Sequence, residues 1–591
     1  MYFFTGSSRI YLFRLELFYG KINFNMIYKD HDSNPKQFAI LLLAIGVMYL
    51  FCLRLPLAGE VSSLIGFVVG KLGGGSGVNA TPSLLMDNMQ DACYPLKIYL
   101  ASLFSVLPGA VTELSARLPA LFSCLVLGLS AAWVSNRLFG INTFLVALAV
   151  VVTMPISMQV AVDADGNGVF ALLLGGAWGL WYYYGWRRNC WGRAWLFSLA
   201  LVTIAVFERG LLAYLYFYLP LMFLRSPIRS WSRIKQPLHL LWLVISLALF
   251  SAWYSLIAPE SLPLVEVGYD LIENGSMGEN YISRLFLFPL LFILLLMPWP
   301  IITWPAYCAE FQPLEKHPEI MHYLRTIVLS VFLFNWLLPV FDVTDLYLAA
   351  APVAILSACH YEVLMRRYRP IYMLCAKVGY AISAISAFVL AIGLIFYLYG
   401  VIDIENIDVY HYTPVIYVPI AVFAAVYLFW KLKGAFPVWL HLSLAVCLAL
   451  TVCISGWGIM EEAKSDFRKG LVQELTSEIP VGETIYKLNK YSMSKYTSLF
   501  DHPVKLLSSA SDIPEKENGV YVLGDAKPPM KQELEWTAIS PQFIIPSSLR
   551  WQVSKSSSDS LGFYLGLKGG DDKKNVTRKV RMYEVTVGNE E

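Results

Sequence analysis

The chain has 591 residues, of which 57% are hydrophobic and 15% are charged, and its formal net charge is +2. Soluble globular proteins contain roughly 45–50% apolar and about 25% charged residues, so the composition excludes that class and indicates a polytopic α-helical membrane protein. The mean hydropathy of +0.55 agrees with this, and the small net charge gives no reason to expect a nucleic-acid partner.

Residues 1–36 are predicted to form a cytoplasmic N-terminal extension. The first long apolar run begins only after residue 36, and no small-residue cleavage site follows it, so the pattern differs from that of a signal peptide. The extension mixes aromatic residues with the basic residues Arg9, Arg14, Lys21, Lys29 and Lys36. We therefore expect the first span to remain as an uncleaved anchor.

Apolar runs of roughly 17–25 residues predict about thirteen transmembrane helices. They lie near residues 38–55, 115–136, 141–160, 167–186, 194–207, 210–225, 238–258, 284–306, 323–340, 346–365, 371–400, 412–430 and 436–457. Acidic residues collect in alternate loops, and basic residues collect in the others, such as WRRNCWGR (186–193), RSPIRSWSRIK (225–235) and RRYR (366–369). By the positive-inside rule the basic loops and the N-terminus are cytoplasmic, and the odd number of spans leaves the tail outside.

A long first outer loop, residues 56–114, belongs to this transmembrane domain of residues 37–457. Within the loop, YPLKIYLASLFSVLPG (94–109) is apolar enough to suggest a further span. A span here would invert every later loop and place the basic loops outside, against the positive-inside rule. We interpret the segment as an amphipathic helix that lies on the outer membrane surface.

The C-terminal tail, residues 458–591, is predicted to be a small extracytoplasmic α/β domain. It is more polar than the rest of the chain and contains short β-like runs at GETIYKL (482–488), NGVYVLGD (518–525) and VRMYEVTV (580–587), separated by Pro, Gly and Ser. The tail contains no cysteine, so a disulfide framework is not expected there.

The segment AVDADGNG (161–168) has the start of a calcium loop. Asp163, Asp165, Asn167 and Gly168 match the first, third, fifth and sixth positions of an EF-hand, but the twelfth position must supply a bidentate Glu. That position is Leu174, inside an apolar run, so no metal site is predicted. One of the two aspartates could cap the helix that follows. Capping needs only one carboxylate, so it does not account for the second one at the membrane rim.

Other charged residues lie on the same predicted outer rim. Glu60 follows the first span and is either a solvated loop acid or a functional carboxylate. FERG (207–210) places Glu208 beside Arg209, which could form a structural ion pair. Alternatively, the guanidinium of Arg209 could hold a phosphate with two hydrogen bonds.

The surface segment of the first loop adds one cation and one aromatic residue. Lys97 could extend to the lipid headgroups or provide a second phosphate contact, and Tyr94 lies close to it in sequence. Asp342 and Asp345 are interpreted as structural caps of a later outer turn. Carboxylates and cations on one rim suit general-base catalysis and stabilisation of a departing phosphate.

The order, spacing and sidedness of these features resemble one family. An acid follows the first span, and a long loop precedes ARLPALFSCLVLGLSAAW (116–133) and RLFG (137–140). The pair of aspartates then precedes a new span, and VFERG (206–210) follows it. This pattern resembles the polyprenyl-phosphate-dependent glycosyltransferases of the C-type fold, in particular the bacterial aminoarabinose (lipid A) transferases and the protein O-mannosyltransferases. Relatives carry Asp-Glu where this chain has Gly59-Glu60, and Lys where it has Arg209.

The resemblance implies an inverting glycosyltransferase of the inner (plasma) membrane, with its C-terminal domain on the periplasmic side. The donor would be a sugar on polyprenyl (undecaprenyl) monophosphate, and the acceptor would be lipid A or lipopolysaccharide, another envelope glycan or a protein. No cofactor is required, although a divalent cation could bind near the carboxylates. The implied roles are catalysis by Glu60, Asp165 and Asp163, donor-phosphate binding by Arg209 and Lys97, and substrate contact by Tyr94 and Glu208.

Two other classes of function stay open at this point. A flippase or transporter for lipid-linked sugars would need no catalytic base and should tolerate Glu60→Gln. A catalytically degenerate scaffold that binds polyprenyl phosphate is suggested by the missing first-loop Asp. The sequence names neither the sugar nor the acceptor.

Overall fold

Apolar helices make up the chain up to residue 456 wherever its structure is described. The computed structural model describes residues 35–53, 113–163, 167–224, 230–257, 277–337, 343–398, 413–431 and 437–456, six strands between residues 485 and 587, and the single residues 96, 100, 103, 228 and 479. Most of the predicted helix at 94–109, most of the N-terminal extension and most of the first outer loop lie outside these residues.

Fifteen helices are described, and they are numbered here in chain order. The first seven are α1 (Pro35–Leu53), α2 (Glu113–Phe139), α3 (Ile141–Thr153), α4 (Pro155–Asp163), α5 (Asn167–Leu180), α6 (Trp191–Arg209) and α7 (Leu212–Phe223). The others are α8 (Ser230–Ile234), α9 (Pro237–Ile257), α10 (Met277–Leu296), α11 (Pro300–Thr303), α12 (Pro318–Leu337), α13 (Ala350–Leu398), α14 (Thr413–Lys431) and α15 (Val438–Gly456). A π-helical turn, Trp181–Arg187, continues α5, and 3₁₀ turns occur at Trp304–Tyr307, Gln312–Leu314 and Val343–Ala349.

Each of the thirteen predicted spans overlaps one of these helices. Among the described residues, five helices are long and apolar enough to cross a membrane, or up to seven if each of two bent helix pairs is one span. The pairs bend by 57° before Pro155 and by 97° before Pro300, and each new helix starts at the proline, which has no N–H to donate to the preceding turn. The structure therefore shows a polytopic helical protein, whereas the number thirteen stays a prediction.

One predicted loop is wrong. The basic segment RRYR is predicted to form a loop between the spans 346–365 and 371–400. The structure instead has one uninterrupted helix here, α13, of 49 residues. Arg and Tyr are compatible with helix, and Pro370 removes only one backbone donor, so the helix continues through the charged segment. At 1.5 Å per residue α13 is about 73 Å long, more than twice the ~30 Å thickness of the hydrocarbon core.

The core of the bundle forms around α3. Residues Val146–Val151 of this helix are almost completely buried, and α3 packs against α2 and α13. Mostly small and β-branched residues (ALAVVV, 147–152) make α3 slim enough for neighbouring helices to pack closely around it. In contrast, α9 and α10 expose large apolar side chains such as Val244 and Phe286, as expected for helices that face lipid.

A glycine allows α5 to approach α2 closely. A Cβ atom at Gly168 would lie 3.1 Å from the carbonyl oxygen of Ala120 and 3.4 Å from Cγ1 of Val160. The first of these neighbours is backbone and cannot move without shifting α2. Gly168, part of the segment that resembles a calcium loop, therefore serves helix packing at the start of α5.

The described part of the tail is a six-stranded mixed sheet. Its strands are β1 (Ile485–Leu488), β2 (Val504–Leu507), β3 (Val520–Asp525), β4 (Leu534–Ala538), β5 (Phe543–Ile545) and β6 (Arg578–Val587). The order is β2-β1-β3-β6-β4, with β5 also paired to β6; β1 is parallel to β2 and β3, and β6 is antiparallel to its partners. The three predicted strand runs each contain one strand, β1, β3 or β6, whereas the α/β class and the domain boundary at residue 458 stay predictions.

We predict that Gly168→Ala lowers the free energy of unfolding by about 1–3 kcal/mol, because the added methyl group must displace backbone. Gly179→Ala is the matched control, since it lies on the same helix and its Cβ would meet no atom within 4 Å. We expect the control to be neutral or to stabilise by up to about 1 kcal/mol through helix propensity. Thermal unfolding of the two purified variants measures the difference, and equal stabilities would contradict the packing role.

Candidate functional site

Polar side chains from five elements meet at one end of the helical bundle. They come from the first residue of α5, the last residue of α6, the first half of α7, the end of α12 and the 3₁₀ turn before α13. We call this group the Arg209 cluster, and it consists of Asn167, Arg209, Tyr216, Asn335, Thr344 and Asp345.

The guanidinium of Arg209 is held by one amide and one carboxylate. Its Nε donates a hydrogen bond of 3.0 Å to Oδ1 of Asn167, and its Nη2 donates to the same oxygen. Nη2 also lies 3.1 Å from Oδ1 of Asp345, in an ion pair whose side chains are 14% and 2% exposed. Arg209 is thus fixed from one side while part of its side chain stays accessible.

The partners of Arg209 are themselves held by buried groups. The amide nitrogen of Asn167 donates to the hydroxyl of Thr344. The hydroxyl of Tyr216 donates to Oδ1 of Asn335 at 3.0 Å and makes a longer contact of 3.4 Å to Oδ2 of Asp345. Buried polar groups are costly unless they are hydrogen-bonded, so these contacts define a single geometry for the cluster.

The chain reverses directly after Arg209 because a glycine follows. Gly210 has φ 59° and ψ −150°, a region that essentially only glycine adopts, and its N–H donates a 2.7 Å hydrogen bond to the carbonyl of Val206. This turn ends α6 and places Arg209 in the last helical turn, where the negative end of the helix dipole favours a cation. The FERG sequence therefore explains both the turn and the position of the guanidinium.

The structure describes only part of the predicted site. Arg209 lies in the cluster, and Glu208 is completely buried in the last turn of α6. Asp163 ends α4, but its side chain is not described.

The other predicted site residues are outside the described part of the chain, and their roles stay predictions. They are Glu60, Tyr94, Lys97 and Asp165.

Sequence reasoning missed three residues at this end of the bundle. Asn167 was considered only as a calcium ligand, and Asp345 only as a structural cap, yet both contact Arg209. The sequence signal for Asp345 is an acidic residue directly before an apolar run, in a segment predicted to lie on the same outer rim as Arg209. Arg117 of the ARLPAL segment is fully buried one turn before Ala120, the residue that contacts the start of α5.

No metal-binding group accompanies the cluster among the residues that the structure describes. Groups of three or more His, Cys, Asp and Glu side chains in suitable positions do not occur there. The described cluster presents a guanidinium held by one neutral amide and one carboxylate, and a guanidinium is a group that binds anions such as phosphate.

The fold and the cluster define a polytopic helical membrane protein with a polar site at one end of its bundle, built around an ion pair. No protein-family model matches the sequence, and no curated protein matches it either. The fold, however, is similar to solved structures. ArnT from Cupriavidus metallidurans bound to undecaprenyl phosphate aligns with a TM-score of 0.62 at 13% sequence identity. The alignment covers 84% of this chain and 94% of the ArnT chain. The apo state of ArnT aligns with a TM-score of 0.57 at 15% identity, covering 80% and 86%. The chain therefore has an ArnT-like fold.

We predict that Arg209→Ala and Asp345→Ala are energetically coupled. Each single substitution leaves a partly or fully buried charge without its ion-pair partner, whereas the double variant leaves neither. We expect a coupling free energy of about 1–3 kcal/mol in a double-mutant cycle of unfolding.

The control cycle combines Asp345→Ala with Arg188→Ala. Arg188 follows the π-helical turn at the far end of α5, where it donates to the Tyr183 hydroxyl at 2.9 Å, so the two effects should simply add. Additive effects in the Arg209 cycle as well would show that the ion pair does not contribute to stability.

Proposed function

We propose that this chain is an integral-membrane glycosyltransferase that moves a sugar from a polyprenyl (undecaprenyl) monophosphate donor to an extracytoplasmic acceptor. The observation that carries the proposal is the position of the Arg209 cluster at one end of an ArnT-like bundle. One of the similar ArnT structures is bound to undecaprenyl phosphate, which is the class of lipid that the proposed donor would release.

Arg209 would act on the leaving group. When the bond between the anomeric carbon and the phosphate oxygen breaks, the lipid phosphate gains one negative charge. A guanidinium binds this product-like state more strongly than the donor diester, so its attraction grows along the reaction and lowers the barrier. Asn167 and Asp345 would be positioning residues, because they hold the guanidinium in place through a hydrogen bond and an ion pair.

The carboxylates would act on the acceptor. The acceptor hydroxyl oxygen would form the new bond to the anomeric carbon with inversion, and its proton would pass to Asp165 or Glu60, with Asp163 as a neighbouring acid or helix cap. Asp165 lies two residues before Asn167, so the proposed base is close in sequence to the residue that accepts hydrogen bonds from Arg209. An acceptor phosphate would already be a nucleophile and would need only positioning.

The remaining proposals follow the sequence resemblance. Lys97 would add a second phosphate contact, and Tyr94 and Glu208 would contact substrate. The acceptor class is lipid A or lipopolysaccharide, another envelope glycan or a protein, and a divalent cation could bind near the carboxylates. The enzyme would reside in the inner (plasma) membrane, with an α/β domain formed by residues 458–591 on the periplasmic side.

We predict that Arg209→Gln lowers kcat for sugar transfer by about 100-fold, the usual order for removing one electrostatic contact to a developing charge. The assay uses the purified chain in liposomes, labelled polyprenyl-phosphate sugar and an extract of the outer envelope as acceptor. Arg209→Lys should keep more activity than Arg209→Gln because it keeps the charge but loses the bidentate geometry. Arg188→Gln, at the far end of α5, is the charge-matched control and should transfer at the wild-type rate.

We further predict that Glu60→Gln and Asp165→Asn each reduce transfer to a hydroxyl acceptor by at least about 100-fold. Transfer that survives both substitutions would rule out the proposed general base. Movement of labelled lipid across the bilayer without transfer would instead identify a flippase. Binding of undecaprenyl phosphate with neither transfer nor movement would identify a scaffold.

A further inference from the structure

A polar cavity of about 380 Å³ lies at the end of the bundle opposite the Arg209 cluster. It is lined by Leu138 near the end of α2, by Tyr182, Trp186 and Arg187 of the π-helical turn, and by residues 316–320 at the start of α12. Helix α5 begins at Asn167, in the Arg209 cluster, and continues into the π-helical turn that lines the cavity. Helix α12 runs in the opposite direction, from the cavity towards the cluster. At 1.5 Å per residue, the length of α5 and its turn separates the two sites by roughly 30 Å.

The cavity carries an excess of positive charge. Among the described residues, no carboxylate lies within 4.0 Å of the guanidinium of Arg187 or the ammonium of Lys316. The one acid in the lining, Glu319, accepts a 2.6 Å hydrogen bond from the indole N–H of Trp186. Two exposed cations therefore face a cavity whose only lining carboxylate already has a hydrogen-bond donor.

The walls of the cavity are fixed by contacts that do not involve a ligand. His317 Nε2 donates to the carbonyl oxygen of Leu138 at 3.1 Å, so its other ring nitrogen is left to a ligand or to water. The ring of Tyr182 stacks on that of Tyr323 with 5.4 Å between centroids. The start of α12 adds the positive end of a helix dipole.

The π-helical turn is an independent observation that points to the same place. It spans seven residues, WYYYGWR, and π-helical segments are rare and occur frequently at functional sites. The turn supplies three of the lining residues, including one of the two cations. The wider π turn therefore sets the directions of the side chains that line the cavity.

We propose that this cavity binds the phosphate of an anionic phospholipid headgroup. The site combines Arg187 and Lys316 with Trp186 and Tyr182, and tryptophan and tyrosine are the residues that favour the membrane–water boundary. Basic pockets between transmembrane helices on the cytoplasmic side bind anionic headgroups, and the WRRNCWGR loop is predicted to be cytoplasmic. A volume of 380 Å³ is within the range of small-ligand sites and accommodates a glycerophosphate group.

The test measures phosphatidylglycerol retained by the purified full-length chain, by native mass spectrometry over a lipid titration. Phosphatidylcholine and glycerol 3-phosphate are the comparison ligands. We expect the variant that combines Arg187→Gln and Lys316→Gln to weaken phosphatidylglycerol binding about tenfold, since each basic residue near an anionic lipid contributes appreciably to binding. Phosphatidylcholine should bind equally to the wild type and this variant.

Two further variants separate the site from general charge effects and from misfolding. Arg188→Gln removes a charge next to the cavity without changing its lining, so phosphatidylglycerol binding should stay as in the wild type. The combination of Arg187→Lys and Lys316→Arg keeps both charges and should also bind. An equal loss in Arg188→Gln would overturn the site, and glycerol 3-phosphate that binds as tightly as the lipid would overturn the assignment to a lipid headgroup.

Discussion

The ion pair between Arg209 and Asp345 is the interaction on which this end of the bundle depends. A helix end inside a membrane protein has few ways to satisfy a buried charge, because lipid offers no hydrogen bonds. Arg209 is satisfied by Asn167 and Asp345, so α6, α5 and the 3₁₀ turn before α13 must end at the same place. The hydroxyl of Tyr216 on α7 donates to Asn335 of α12 and lies 3.4 Å from the carboxylate of Asp345, which connects these two helices to the ion pair. A chain of polar contacts therefore connects five elements at this end of the bundle.

The opposite end of the bundle follows the same rule with different residues. Arg325 of α12 lies 2.6 Å from Glu315, whose side chain is 1% exposed, and donates to the carbonyl oxygen of Ala306 at 2.8 Å. His360 of α13 lies 3.3 Å from the same carboxylate. Polar contacts therefore join α12 to its neighbours at two places, through Arg325 in its first half and through Asn335 near its end.

The likeness to ArnT shows the fold alone, so the function has to be argued from the residues of the site. One fold can carry unrelated activities, and at 13–15% identity no side chain can be transferred from the neighbour by alignment alone. The guanidinium of Arg209 offers a planar fork of donors, and the carboxylate of Asp345 lies 3.1 Å from one of its nitrogens. Together with the hydrogen bonds to Asn167, this ion pair fixes the orientation of the guanidinium. The proposed transferase therefore depends on a cation that is already oriented before the donor phosphate arrives.

The sequence by itself determined the membrane class, the positions of most helices and several strands of the tail, and it directed attention to Arg209 as a charged residue between two apolar runs. These follow from hydropathy, periodicity and local turn chemistry, which act over short stretches of chain. Tertiary structure alone decided that the helix continues through RRYR, that Asn167 accepts hydrogen bonds from Arg209, and that Asp345 is the ion-pair partner of Arg209. The partners Arg209 and Asp345 are more than a hundred residues apart, and no local pattern encodes a contact made by packing helices. Which buried charges meet is set by the three-dimensional arrangement of the helix ends.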